Sequence, residues 1–320
     1  MIDILLITNK GDITTDFVVK ELTKVKANFY RLNTEDFLSK FFLSFNFHKS
    51  EFTLFDNERQ LEIDLLKIKS VYYRRPALPN NIAKDLTQGE GIFIRNEISN
   101  YLEGLYKILK NAFWISPVFA IREAESKIYQ LQVAKELGFN IPSSLITTDS
   151  KIASKFITEY KSIIKPIKTG FIEDKGSERI IFTTLFDNKS DVKRVEICPT
   201  YFQEFIDKKS DIRVTVIGNK VFVAQILSQK HEETKIDWRK AERINLQYEK
   251  IDLPSTLTDL CIKLTKKLGL NFGAIDFVKD ENDNYLFLEI NPNGQWAWIE
   301  KQLNYHLSYE ISKLLMDGKN

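Results

Sequence analysis

The residues best placed to do chemistry lie near the C-terminus. They fall in Gly273-Ala-Ile-Asp276-Phe-Val and, past the polar stretch Lys279–Asn284, in Tyr285-Leu-Phe-Leu-Glu289-Ile-Asn291-Pro-Asn-Gly294. Two apolar runs joined by an acidic turn read as a hairpin. A turn centred between Glu281 and Asn282 sets Asp276 opposite Phe287 and Ala274 opposite Glu289. Asp276, Glu289 and Asn291 then share one face, and Ile275, Phe277, Leu286, Leu288 and Ile290 share the other. In that register the two carboxylates are diagonal neighbours, roughly 7–8 Å apart. A slip of one residue would place them on opposite faces. Carboxylates inside apolar strands are costly unless a cation pairs with them. Two carboxylates and an amide oxygen suit magnesium, which leaves its other positions to water and phosphate.

Basic residues elsewhere could serve the same nucleotide. Lys165 ends the apolar run Ser162-Ile-Ile-Lys165-Pro166, just before a loop with Lys168-Thr169-Gly170 and Gly176-Ser177. That placement suits an anion such as phosphate, although an edge lysine snorkelling to water fits too. Lys127, early in a helix, reads by itself as solvated surface. Gln203-Glu204-Phe205-Ile206 closes a strand whose end could offer backbone groups to an adenine edge. Asp211-Ile-Arg213 and Gln225 lie on the arms of a hairpin turning at Gly218-Asn219, and counting from that turn puts Arg213 opposite Ala224. Arg213 suits developing charge on a phosphoryl group. Asp237-Trp238-Arg239 offers a guanidinium fork for a carboxylate, and Arg74-Arg75 makes a basic turn after the strand Val71-Tyr72-Tyr73. For each arginine a surface ion pair explains the spacing equally well.

The elements that must position these groups alternate at first between strand and helix. Strand Ile2–Thr8, helix Thr14–Lys26 and strand Asn28–Leu32 form a β-α-β unit. A hairpin (Leu43–Phe47 with Glu51–Leu54), a strand Ile68–Tyr73 and a helix Gly91–Lys110 follow. This predicts a doubly wound α/β layer; without GxGxxG after the first strand it is not a dinucleotide site. Beyond a boundary near Trp114–Pro117 comes a helix Glu123–Leu137, closed by Gly138. After a helix Lys151–Tyr160 the pattern turns strand-rich (Ser162–Pro166, Arg179–Thr184, Tyr201–Ile206, Asp211–Ile217, Val221–Leu227), an α+β arrangement. Helices Thr256–Leu268 and Ala297–Leu315 flank the carboxylate hairpin.

Composition narrows the classes. The 320 residues predict about two domains. Lys and Arg number 46 against 44 Asp and Glu, which lacks the basic excess of a nucleic-acid binder. No run of ~18 apolar residues spans a membrane, and the N-terminus has no signal-peptide pattern. Two distant cysteines, Cys198 and Cys261, and three histidines assemble no zinc site, and reduced thiols place the chain in the cytosol.

As a set, these residues resemble the ATP-grasp carboxylate–amine ligase superfamily. The nearest likeness is to graspetide (microviridin-type) maturases of ribosomal peptides; the ribosomal-protein glutamate ligase is more distant. The resemblance is carried in order by Tyr72-Tyr73-Arg74-Arg75-Pro76, Ser126-Lys127-Ile-Tyr-Gln-Leu-Gln, Ile164-Lys165-Pro166, Gln203-Glu204-Phe205-Ile206, Asp211-Ile-Arg213, Asp276 and Glu289-Ile-Asn291-Pro-Asn-Gly-Gln-Trp296. It implies a pre-ATP-grasp domain over 1–115, a central subdomain over 116–200 and a C-terminal subdomain over 201–320, with ATP clamped between the last two. By the same likeness Lys127 and Lys165 bind phosphates. Gln203, Glu204, Phe205, Ile206 and Asp211 line the nucleotide site, and Phe287 touches the base. Asp276, Glu289 and Asn291 hold Mg2+. Arg213, Arg239 and Lys165 act on the acyl phosphate, and Arg74, Trp238 and Arg239 face the peptide. A leader helix docks near Thr183–Val195. The phosphate-covering loop departs from the family, with two glycines among bulky neighbours.

The implied reaction activates an Asp or Glu side chain of a precursor peptide as an acyl phosphate. A Thr or Ser hydroxyl or a Lys amine of the same peptide then attacks, giving an ester or amide crosslink. The implied partner is that precursor, a leader plus an acidic, Thr/Ser/Lys-containing core, with homodimerisation left open. Addition of a free amino acid to a protein or peptide carboxylate is the alternative. A non-catalytic nucleotide binder would have no use for the Asp276, Glu289 and Asn291 set.

Overall fold

The computed structural model describes residues 2–79, 86–168, 170–174, 177–187, 189–240 and 245–318. The chain divides into two compact units, one made of Met1–Phe119 with Gln295–Asn320, the other of Ala120–Gly294.

The first unit opens with β1 (Ile4–Thr8), α1 (Ile13–Lys24) and β2 (Phe29–Asn33). An antiparallel sheet of β3 (Phe41–Asn46), β4 (Glu51–Asp56) and β5 (Leu61–Asp64) extends the expected hairpin by a third strand. β6 (Ser70–Tyr73), α2 (Gln88–Ile108) and β7 (Phe113–Ile115) follow. The main sheet is parallel in the order β2-β1-β6-β7, the doubly wound layer expected, with β7 arising where only a boundary was anticipated. β1 is buried at every position and apolar over Ile4–Ile7, as befits a strand covered on both faces. Thr87 and Glu90 start α2 with a reciprocal capping box.

The second unit takes in the end of α3 (Val118–Ala124) and then α4 (Lys127–Glu136), β8 (Ser144–Thr147), α5 (Ser150–Glu159) and β9 (Ser162–Lys165). The single helix expected over Glu123–Leu137 is two, because Ser126 adopts extended dihedrals and its hydroxyl caps the Tyr129 N–H. β10 (Phe171–Asp174) and β11 (Ser177–Ile180) form a separate hairpin, followed by β12 (Thr184–Phe186), β13 (Thr200–Glu204), β14 (Lys208–Ile217), β15 (Lys220–Ile226) and β16 (Tyr248–Lys250). After α6 (Ser255–Lys267) come β17 (Phe272–Asp280) and β18 (Tyr285–Asn291). Two sheets result, β12-β9-β13-β8 and β16-β15-β14-β17-β18. The β14–β15 turn falls at Gly218-Asn219 with Arg213 opposite Ala224, as the turn residues predict.

The chain then returns to the first unit through α7 (Ala297–Leu303) and α8 (Leu307–Asp317). The continuous terminal helix expected over Ala297–Leu315 is interrupted at Asn304, whose φ of 50° ends α7 in the left-handed region that asparagine tolerates.

Candidate active site

The carboxylate hairpin forms in a different register from the one a simple turn predicts. Ala274 pairs with Asn291, Ile275 with Ile290 and Asp276 with Glu289, whereas Phe277 pairs with Phe287. Leu288 is therefore an extra residue, a β-bulge. A turn displaced by one residue would have put the two carboxylates on opposite faces; the bulge adds the second displacement that returns them to one face. They end up directly opposite rather than diagonal. Phe287 turns the other way, packing 5.4 Å from the Phe139 ring and 5.9 Å from Phe277 between centroids. This corrects the expectation that Phe287 shares the carboxylate face; Leu288 lines the cavity instead.

Pairing continues across the sheet, since Arg213 on β14 lies opposite Asp276. Ala224, Arg213, Asp276 and Glu289 thus form one row over four strands. Arg213 Nε lies 2.8 Å from Asp276 Oδ1, and its guanidinium sits 5.7 Å from the Trp238 ring centre. Gly294 folds back against this row. A Cβ there would come within 2.4 Å of the Ala274 Cβ and 3.2 Å of Arg213 Nη1, so the approach needs a glycine.

The row faces a cavity of about 430 Å³ within the second unit, a size ordinary for a small-molecule site. Lys127, Lys165, Gln203, Glu204, Phe205, Ile206, Asp211, Trp238, Arg239, Asp276, Glu289 and Asn291 all line it. Phe287 is not among the lining residues, and Arg213 adjoins the cavity through Asp276 and Trp238, which do line it. Arg74 belongs to the first unit, where it is buried against Asp12. Of the loop anticipated over the phosphates, Lys168 and Gly170 line the cavity, while Thr169, Lys175 and Gly176 lie outside the described residues. A Cβ on Gly170 would meet the Ile181 carbonyl oxygen at 2.1 Å, so a glycine is required where the loop begins.

Positive charge gathers on Glu289. Lys127 Nζ lies 3.4 Å from one of its oxygens and Arg239 Nη1 3.6 Å from the other. Burial alone would raise the Glu289 carboxyl, but Lys127, Arg239 and Lys165 together hold it well below the usual range. Asp276 moves oppositely: burial raises it, Arg213 resists, and the charge of Glu289 adds to the rise. The Asn291 amide nitrogen donates to Asp276 Oδ2 at 3.2 Å and to Glu289 Oε1 at 3.3 Å, so all three side chains converge. Among the described residues no three His, Cys, Asp or Glu cluster as a metal cage. Two carboxylates and an amide oxygen nevertheless fit a hard cation that draws its remaining ligands from phosphate and water.

The opposite wall is basic. Lys165 donates to Gln203 Oε1 at 2.5 Å, and Gln203 Nε2 donates to the Tyr201 hydroxyl at 2.8 Å. Burial pushes the Lys165 ammonium down to about 8, against the pull of Glu289. Lys127 donates to the Pro166 carbonyl at 2.9 Å from the first turn of α4, where the helix dipole disfavours a cation unless an anion joins it.

Three groups escaped the sequence reading. Lys208 donates to Asp211 Oδ1 at 2.7 Å, and Ser228 holds the other oxygen at 2.5 Å. Asp237 grips Arg239 through two bonds of 2.9 Å and accepts the Thr183 N–H at 3.3 Å. The i,i+3 and i,i+2 spacings were the available signals, and both look like surface ion pairs until burial is known. Gln130 is the third.

Comparison with known proteins places this geometry. A family model described as a RimK-like ATP-grasp domain matches residues 124–315, and one described as an MvdD pre-ATP-grasp domain matches 3–122. The structure of a RiPP-associated ATP-grasp ligase from Chryseobacterium gregarium, in complex with ADP and a leader and core peptide, is 28% identical. It superposes with a TM-score of 0.92 over 100% of this chain and 98% of that one. The macrocyclase MdnC of Microcystis aeruginosa MRC, bound with precursor peptide MdnA, is 25% identical with a TM-score of 0.86, over 99% of this chain and 100% of that one. A probable alpha-L-glutamate ligase of Histophilus somni is 28% identical over 211 residues, 63% of this chain and 67% of that protein.

Proposed function

The chain belongs to the RimK-like ATP-grasp family, and from that premise we propose that it is an ATP-dependent ligase that crosslinks side chains within a ribosomally made precursor peptide. The observation that carries this reading is likeness over essentially the full length to a peptide-bound RiPP ligase, whereas the glutamate-ligase likeness spans 63% of the chain. The first step joins a substrate Asp or Glu oxygen to the γ-phosphorus of ATP and releases ADP. In the second, a hydroxyl or amine attacks the acyl carbon, loses its proton and expels phosphate, leaving an ester or amide.

In both steps the protein positions groups and balances charge. Lys127 and Lys165 meet the phosphates, and the backbone of Glu204 and Ile206 meets the adenine. Asp276, Glu289 and Asn291 would hold a magnesium ion, which would neutralise phosphate charge when bound. Arg213, in line with Asp276, steadies the acyl phosphate, and Arg239 with Trp238 faces the peptide. Residues 116–200 and the strands from 201 onward act as the two sides of the nucleotide clamp. Among the described residues no helix is long and apolar enough to cross a membrane.

The test is mass spectrometry of the precursor encoded beside this chain, incubated with the protein and Mg·ATP. Loss of one water per crosslink, dependent on ATP, is expected. A gain of one amino-acid residue when free amino acid is supplied would establish the alternative, and modification without ATP would reject both.

A further inference from the structure

Gln130 takes no part in the chemistry above, yet it is buried and all its bonds go to backbone. Its Nε2 donates to the Ala124 carbonyl at 2.5 Å and to the Ile290 carbonyl at 2.8 Å, and its Oε1 accepts the Ile290 N–H at 3.0 Å. Ile290 lies between Glu289 and Asn291. One amide thus does for Ile290 what a neighbouring strand would do.

The location matters because β18 is an edge strand. Its outward N–H and C=O groups have no strand to pair with, and it carries the bulge at Leu288 that decides which face Glu289 occupies. The outer edge is held on both sides of that bulge. Before it, the Phe287 N–H donates to the Asn140 carbonyl at 2.8 Å; after it, Ile290 exchanges two bonds with Gln130. The Asn140 clamp uses main chain, whereas the Gln130 clamp is a side chain and so depends on one residue choice. The Ile290 carbonyl needs a donor and its N–H an acceptor, and a primary amide supplies both at the required spacing.

We propose that Gln130 is a positioning residue that pins the bulged register of β18 and so sets Glu289 and Asn291 for a divalent cation bound with the nucleotide phosphates. The proposal rests on the reading of Asp276, Glu289 and Asn291 as cation ligands. Helix α4 supports it from the same face: Lys127, three residues before Gln130, reaches the Glu289 carboxylate while Gln130 holds the following peptide. The helix thereby grips both the side chain and the backbone of one strand.

The test is ADP binding to the full chain, measured by calorimetry over a magnesium titration and again in EDTA, with Tm recorded in parallel. Gln130→Met keeps the length of the side chain and removes its bonds. Val133→Ala, in the buried stretch of the same helix, loosens packing and leaves the clamp intact. Gln130→Met is expected to raise the magnesium needed for half-saturation roughly 10- to 100-fold, as removal of outer partners of metal ligands does, with ADP affinity in EDTA unchanged. Val133→Ala lowers Tm without moving the magnesium requirement. An unshifted requirement in Gln130→Met, or an equal shift in Val133→Ala, overturns the proposal. If Gln130→Met does not fold, Gln130→Glu, which keeps an acceptor for the Ile290 N–H, is judged by the same criteria. Wild-type ADP binding indifferent to magnesium would overturn the cation reading itself, an outcome separate from either variant result.

Discussion

Each unit of this protein buries an arginine–aspartate pair, and the two pairs are not alike. In the first unit Arg74 Nε lies 3.2 Å from Asp12, with side chains 1% and 2% exposed. Asp12 also accepts the Thr8 hydroxyl at 2.9 Å, the Thr15 hydroxyl at 2.6 Å and the Thr14 N–H at 3.2 Å. Arg74 Nη2 donates to Gln295 Oε1 at 2.7 Å, and the Thr14 hydroxyl donates to that same oxygen at 2.6 Å. In the second unit Arg213 and Asp276 are 7% and 12% exposed and 2.8 Å apart, but Arg213 Nε and Nη1 make no hydrogen bond of proper angle among the described residues. One pair is tied into a network of hydroxyl and amide partners of its own unit; in the other, Arg213 Nη1 has no hydrogen-bond partner among the described residues. Residue type and burial are alike in the two pairs; what differs is how fully the hydrogen-bonding capacity of each guanidinium is met, which is the difference the proposed role of Arg213 needs.

The comparison can be broken at several points. The largest effect belongs to Glu289→Gln, which leaves Lys127, Lys165 and Arg239 without their shared counter-charge. Crosslinking followed by mass spectrometry should fall by roughly 10²–10³ or more per folded molecule. Arg213→Met should cost roughly 10²–10³ in turnover, but little stability, because the Asp276 carboxyl already lies above its usual range and can take up a proton. Arg74→Met should do the reverse. Stranding Asp12 costs about 3–5 kcal/mol in denaturant unfolding, with turnover per folded molecule unchanged; equal loss of turnover in both arginine variants would erase the distinction.

Smaller effects sharpen the picture. Burial lowers the Lys165 ammonium to about 8, so the group is charged at pH 7 and largely neutral at pH 9. ADP affinity by calorimetry should therefore weaken about tenfold over that interval, with proton uptake on binding at the upper end. Lys165→Met should bind more weakly and flatten the profile. Phe287→Leu should cost roughly 1–3 kcal/mol of stability and leave ADP affinity untouched, since the ring packs on Phe139 and Phe277.

Much of this is legible in the amino-acid sequence. The family resemblance is borne out, and the Gly218-Asn219 turn set the β14–β15 register because a two-residue turn leaves little choice. The carboxylate register was harder. Its turn is longer, with Asp280 accepting the Asn282 and Asn284 N–H groups at 2.9 and 2.7 Å, and the bulge that follows is clamped by α4, 160 residues away in the chain. No local pattern reports such a clamp. Gln130 belongs to the motif Lys127-Ile-Tyr-Gln-Leu-Gln, but a glutamine three residues after a lysine looks like an ordinary polar helix position. Lys208 and Asp237 were hidden for a related reason: only burial distinguishes them from solvated charges.

Lys127 and Gln130 stand one turn apart on a single rigid rod, each gauging a different part of the same strand. A small tilt of that rod would shift the Lys127 ammonium and the Glu289 backbone together. Substitutions at its far end, remote from any ligand, thus have a mechanical route to the tuning of turnover. Evolution could adjust the rate of such an enzyme without altering a group that meets the nucleotide.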